Sequence, residues 1–121
     1  MQATLKIKIP ADLHIALQEN TASKKDLLIE EILGHSDQIA YMLQSYYQRE
    51  KVSEVNVIPG TIQFIGANSI KLQLEYVMEE FNACSAVDTL NKGKMTVSID
   101  FNLTAEELDL SGEYWPEREP D

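Results

Sequence analysis

Two histidines and a single cysteine are the residues of this chain whose types suit nucleophilic or metal chemistry. His14 and His35 lie 21 positions apart and Cys84 is distant from both, so the sequence lacks the short ligand spacings of a zinc site. A cysteine–histidine pair would have to form through the fold, and no basic residue adjoins Cys84 to favour its thiolate. The sequence predicts no metal and no cofactor, and it favours a protein without a catalytic centre.

His35 is a candidate for a catalytic base, because it lies among the apolar residues along one face of a predicted helix. There it is either a buried base or, near the C-terminal end of a helix, a stabilising cation. Glu79 and Glu80 lie on a predicted strand, where neighbouring side chains point to opposite faces, so they cannot act as a pair. An enzyme stays an open alternative, with a pocket that would be lined by Tyr76, Met78, Phe101 and His35.

Charge is distributed unevenly along the chain. The net charge is -10, of which residues 1–51 contribute -1 and residues 52–121 contribute -9. Phosphate binding needs lysine and arginine, so we expect no nucleic-acid partner and no contact with an anionic membrane through the acidic half. Clustered carboxylates suit a basic protein partner instead. No secretory signal opens the chain, and the lone cysteine fits a reducing compartment, so we expect a cytoplasmic protein.

The sequence pattern in the first half of the chain predicts one strand followed by helices. Residues Thr4–Ile9 alternate polar and apolar side chains, which is typical of a half-buried strand, and Pro10 is well placed to open a short helix. A longer apolar seam follows at helical spacing. A glycine and a serine in the middle of this seam favour two helices, over 24–33 and 37–50, rather than one kinked helix over 24–50.

Beyond residue 52 the apolar residues alternate with polar ones, which predicts strands. The clearest strands cover 70–79 and 95–103, with a loop over 82–94 between them. Thr104 begins a capping-box pattern that predicts a helical turn through about Leu110.

These elements predict an α+β two-layer sandwich. In it, the N-terminal strand and the helices pack on one face of an antiparallel meander sheet. Residues 1–115 form a single domain, and residues 116–121 form an acidic, frayed tail. The predicted core consists of apolar residues from both layers: Leu5, Ile7, Leu28, Ile32, Ile39, Leu72, Leu74, Tyr76, Val97, Ile99 and Phe101.

The segment Leu5-Lys6-Ile7-Lys8-Ile9-Pro10-Ala11-Asp12-Leu13-His14 resembles the opening of the ribbon-helix-helix family of DNA-binding proteins. In that family a short strand with polar residues at alternate positions precedes a proline and two helices. The resemblance covers at most 33 residues. It implies a dimeric regulator that places Lys6 and Lys8 against bases and Ser23-Lys24-Lys25 against phosphates.

The leading hypothesis is a non-catalytic binding or regulatory module that acts through a protein partner. Its predicted partner-facing surface combines acidic residues with an aromatic anchor: Glu106, Glu107, Asp109, Tyr114 and Trp115. We also expect a homodimer, formed through the first strand or through the apolar end of the main helix, which carries Tyr41, Met42, Tyr46 and Tyr47. The alternatives are the dimeric DNA-binding ribbon and a small ligand-binding or enzymatic sandwich with its pocket between helices and sheet.

Overall fold

In the computed structural model, three helices lie against a curled, six-stranded antiparallel sheet. The structure describes residues 1–82 and 87–116, with side chains described except at 81–82 and 87–89. The elements are β1 (Thr4–Lys8), α1 (Ala11–Glu19), α2 (Lys24–Gly34), α3 (Ser36–Gln44), β2 (Lys51–Val57), β3 (Gln63–Ile65), β4 (Ser69–Asn82), β5 (Val87–Asn102) and β6 (Glu107–Ser111). The predicted α+β fold with helices on one face of the sheet is confirmed.

The sheet has the strand order β1-β6-β5-β4-β2, with β3 pairing to β4 beside this path. The N-terminal strand is therefore an edge strand of the sheet, added to β6 after the meander of the second half is complete. Its register places Ile7 opposite Leu108, which in turn lies opposite Phe101 of β5. All three side chains are buried, so one apolar row crosses three strands and faces the helices.

The helices follow the predicted breaks. Pro10 precedes α1 in an extended conformation, and its carbonyl accepts the His14 N–H at 3.1 Å, which closes the first turn. The long seam is two helices, α2 and α3, which meet at His35. Helix α3 ends at Gln44 instead of residue 50. The Gln44 side-chain amide donates to the Tyr47 and Glu50 carbonyls and accepts from the Val52 N–H, which fixes the connection into β2.

Two predicted elements are wrong. Residues 104–110 form no helical turn, because the Asn102 carboxamide oxygen accepts the N–H groups of Thr104 and Ala105, and Glu106 has a left-handed φ of 53°. The chain reverses there and enters β6. Residues 87–94, predicted as loop, belong to β5, which pairs with β4 along its whole length. Residues 83–86, at the centre of the predicted loop, lie outside the described residues.

The predicted core is confirmed with one exception. Ten of the eleven predicted side chains are buried in a single cluster, and Leu5 is only half-buried against it. No helix in the described residues is both long and apolar enough to cross a membrane. Most of the predicted tail, from residue 117 onward, lies outside the described residues.

Candidate functional site

Strand β5 is much longer than its neighbour β6, and this difference leaves part of β5 without a second partner. β6 pairs with Ser98–Asn102, while β4 pairs with the full strand. Backbone groups along a strand point alternately to its two sides. Phe101 donates its N–H to Asn68 beside β4, so the odd-numbered residues of β5 face β4 and the even-numbered residues face the other side. In the described structure, Leu90, Lys92 and Lys94 therefore direct unpaired N–H and C=O groups outward.

We call the outward side of residues 90–96 the β5 edge. At its inner end the Thr96 N–H donates to the Glu113 carboxylate at 2.8 Å. The other oxygen of this carboxylate accepts the indole N–H of Trp115 at 3.2 Å. Strand β6 has ended at Ser111 by this point, so a carboxylate takes the place of the next strand's carbonyl. The β5 edge thus already binds one acidic side chain of its own chain.

The side chains of the β5 edge form a short basic row. Leu90, Lys92 and Lys94 point to the sheet face opposite the helices, and all three are exposed. The Lys92 ammonium lies 3.5 Å from Glu75 on β4, and the Lys92 side chain stays 74% exposed. An exposed ion pair of this kind contributes little stability, so its lysine is free to exchange partners at little cost.

Behind the β5 edge, the helix-facing side is packed against aromatic rings. Gly93 lies opposite Tyr76, and a Cβ placed on Gly93 would come within 2.9 Å of the Tyr76 ring carbon Cζ. The Tyr76 ring thus covers a position where only glycine fits. Burial, reinforced by the hydrogen bond to Tyr47, raises the pKa of the Tyr76 hydroxyl well above its ordinary value of 10.0. This hydroxyl therefore stays protonated and is no general base.

An aromatic cluster ties the end of α3 to both ends of the described chain. The rings of Tyr46 and Tyr47 pack edge-on against Trp115, at centroid distances of 4.9 and 5.6 Å. The Tyr46 hydroxyl donates to the Glu113 carbonyl at 2.7 Å and accepts the Ala3 N–H at 2.9 Å. Trp115 also donates its backbone N–H to the Met1 carbonyl at 2.8 Å. The cluster holds the segment carrying Glu113 in place beside β5.

The residues predicted to face a partner are separated in the structure. Glu107 and Asp109 lie on the exposed sheet face, opposite Lys8 and Lys6 respectively. Glu106 occupies the turn before β6, Tyr114 is 68% exposed, and Trp115 is half-buried in the aromatic cluster. One Asp109 carboxylate oxygen is buried without a hydrogen-bond partner among the described residues. A partner on this acidic surface stays a prediction.

The four residues predicted for self-association do not share a surface. Met42 and Tyr46 are buried in the core, Tyr47 packs within the aromatic cluster, and Tyr41 is 84% exposed. Sequence periodicity placed them at one helix end but could not show that the C-terminal segment covers most of it. The homodimer stays a prediction.

The two histidines lie far apart in different settings, His35 at the junction of α2 and α3 and His14 within α1. The two His35 ring nitrogens lie 2.9 Å from Gln38 and 2.9 Å from Glu31, so the ring bridges α2 and α3. His14 packs edge-on against Phe101 at 5.4 Å, and its Nδ1 is buried without a partner among the described residues. No group of three metal-ligating side chains occurs in the described ranges. Cys84 lies outside them.

A small cavity of about 260 Å³ lies between the α1–α2 connection and the start of β4. Of the four residues predicted to line a pocket between helices and sheet, Phe101 alone lines this one. Tyr76 is fully buried, and His35 lies at the junction of α2 and α3. Lys24, Phe64 and Ile70, which sequence analysis did not assign to a pocket, line it as well.

Comparison with models of protein families, with curated proteins and with solved structures found no match. The function is therefore inferred from the geometry of this chain.

Proposed function

We propose that this protein is a non-catalytic binding module that holds an extended segment of a partner protein as an added strand on the β5 edge. The observation that carries the proposal is the run of outward-facing backbone groups at Leu90, Lys92 and Lys94, which β6 leaves uncovered. Exposed strands of this kind bind peptides through main-chain hydrogen bonds, while alternate side chains give specificity. The partner is therefore recognised in an extended conformation.

The charge of the β5 edge favours a partner segment with acidic residues at alternate positions. An antiparallel segment that pairs with this edge would bring its side chains opposite Lys92 and Lys94, and opposite charges there contribute roughly 0.2–1 kcal/mol per pair. The Glu113 carboxylate that accepts the Thr96 N–H shows separately that the outward N–H groups of this edge can donate to an acceptor other than a strand carbonyl. Lysines along an edge also discourage pairing with an identical copy, since like charges would meet.

The edge of the sheet at β2 differs in ways that favour β5. Strand β2 has a register shift between Ser53 and Asn56, Glu54 there has a left-handed φ of 52°, and Gln44 already accepts the Val52 N–H. Bulges and caps of this kind end strand pairing. The outer edge of β1 is the nearer rival, because it also carries lysines, and it provides the matched control in the test of this proposal.

The remaining features of the module are consistent with binding without catalysis. Because its pKa is raised, the Tyr76 hydroxyl stays protonated, and it forms a hydrogen bond with the Tyr47 hydroxyl. We place the protein in the cytoplasm, because its lone cysteine cannot form an internal disulfide and suits a reducing compartment.

A proline substitution tests the proposal because it removes a single edge N–H. In Lys92→Pro the missing N–H is one that faces away from β4, so the β4–β5 ladder keeps its hydrogen bonds. The matched control is Lys6→Pro, which alters the outer edge of β1 in the same way and removes the same charge. Both variants and the parent protein are used to select binders from a displayed library of random octapeptides, and selected peptides are then synthesised and titrated.

We expect the parent protein to select peptides with acidic residues at every second position. Lys92→Pro should weaken their binding by at least about tenfold, whereas Lys6→Pro should leave it unchanged. Selection of basic or non-alternating peptides would overturn the proposed partner chemistry. Loss of binding in Lys6→Pro with full binding in Lys92→Pro would assign the activity to β1 and overturn the proposal.

A further inference from the structure

A second binding site is indicated by the cavity between the α1–α2 connection and the start of β4. Its lining combines apolar side chains with polar ones: Leu17, Phe64, Ile70 and Phe101 are apolar, and Gln18, Asn20, Asn68 and Ser69 are polar. Its volume is about 260 Å³. For comparison, an apolar protein cavity of roughly 150 Å³ is large enough for benzene. The cavity therefore has room for a single aromatic ring with one substituent.

The rim of this cavity carries one cation, Lys24, at the first residue of α2. Its ammonium lies 3.8 Å from the centroid of the Phe64 ring and donates to the side-chain oxygen of Asn20. Asn20 in turn is held in the left-handed conformation that ends α1. The ammonium is thus fixed by two contacts at the cavity mouth, and the Lys24 side chain is half-buried.

The surroundings of Lys24 lack acidic residues among the described lining of the cavity, although the chain is strongly acidic. The protein has 20 acidic residues, yet none of the described residues that line the cavity is acidic. The described ion pairs, His35 with Glu31 and Lys92 with Glu75, do not include Lys24. An ammonium with an aromatic ring and an amide as its neighbours retains donors for an anion. An anionic ligand would supply the charge partner that the described residues do not.

We propose that this cavity binds a small organic anion, namely a flat apolar ring bearing one carboxylate. The ring would occupy the space between Phe64 and Phe101, and the carboxylate would accept hydrogen bonds from Lys24 at the rim. A few convergent polar groups over apolar walls are the usual composition of a small-molecule site. The site is separate from the β5 edge, because its lining residues come from other parts of the sheet and from α1 and α2.

Three probes separate this proposal from simpler ones. Benzoate carries both the ring and the carboxylate, benzyl alcohol carries the ring with an uncharged hydroxyl, and inorganic phosphate carries negative charge without a ring. Each is titrated into the full chain while the amide resonances of Asn68, Ser69 and Phe101 are followed by NMR. We expect benzoate to bind with a Kd on the order of 1 mM or tighter, benzyl alcohol at least about fivefold more weakly, and phosphate not to shift these resonances.

Variants at neighbouring lysines identify the charged partner. Lys24→Gln should weaken benzoate binding to the level of benzyl alcohol, whereas Lys25→Gln, on the exposed next residue, should leave it unchanged. Phe64→Leu should weaken both ring-bearing probes. Equal binding of benzoate and benzyl alcohol to the parent protein, binding of phosphate at these residues, or an unchanged benzoate affinity in Lys24→Gln would each overturn the proposal.

Discussion

The two halves of strand β5 pair with the same strand, β4, but have very different surroundings on their other side. Residues Ser98–Asn102 lie between β4 and β6, and Val97, Ile99 and Phe101 are buried against the helices. Among the described strands, residues 90–95 pair with β4 alone, and Leu90 is 63% exposed. The half over Ser98–Asn102 contributes to the stability of the core, whereas the half over 90–95 has outward backbone groups that no described residue pairs. The proposed binding edge and the packed core are thus different parts of one strand.

The largest expected difference between the two halves concerns apolar side chains. Leu108 is fully buried opposite Phe101, so Leu108→Ala should lower the free energy of unfolding by about 2–5 kcal/mol. Leu90→Ala, on the β5 edge, should change it by less than about 0.5 kcal/mol. Urea denaturation of both variants measures the difference. Equal losses would show that Leu90 is covered in solution and that the β5 edge is not open.

The next largest difference in stability is expected between two glycine-to-alanine substitutions, one on β5 and one in α2. Gly93→Ala places a Cβ against the Tyr76 ring and should destabilise the protein by about 1–3 kcal/mol. Gly34→Ala, at the end of α2 with open space around it, should be neutral or stabilising by up to about 1 kcal/mol. Thermal or chemical unfolding of the two variants provides the check. An unchanged free energy of unfolding in Gly93→Ala would mean that the Tyr76 ring does not pack over Gly93.

The sequence predicted the packed half of β5 and missed the other half for a physical reason. Alternation from Met95 to Leu103 reflects burial of one face, so the strand could be read directly. In Asn91-Lys92-Gly93, glycine resembled a turn residue, but in the structure it is required because Tyr76 lies over it. That pairing joins residues 17 positions apart and leaves no local pattern. The open edge itself depends on where β6 ends, which is set by Gly112 and Glu113 contacts with Ala3 and Thr96.

The smallest predicted effect is the contribution of Tyr76, whose ring packs behind the β5 edge, to the pH dependence of folding stability. Because burial raises the pKa of Tyr76, the unfolded chain loses this proton near pH 10 while the folded chain retains it. Folding stability should therefore be fully present below pH 10 and fall above it, by up to about 1.4 kcal/mol per pH unit from this group. Tyr76→Phe should remove that part of the slope, and Tyr41→Phe, on an exposed tyrosine, should not. An identical alkaline slope in Tyr76→Phe and the parent protein would show that Tyr76 is accessible to water.

Residue-by-residue amide hydrogen exchange in the free protein tests the open β5 edge most directly. We predict slow exchange at Asn91, Gly93 and Met95, whose N–H groups face β4, and fast exchange at Leu90, Lys92 and Lys94. Thr96 should be protected, and Glu113→Ala should release it. Uniform protection from 90 to 96 would mean that the edge is already covered, and it would contradict the assignment of this edge as the partner-binding site.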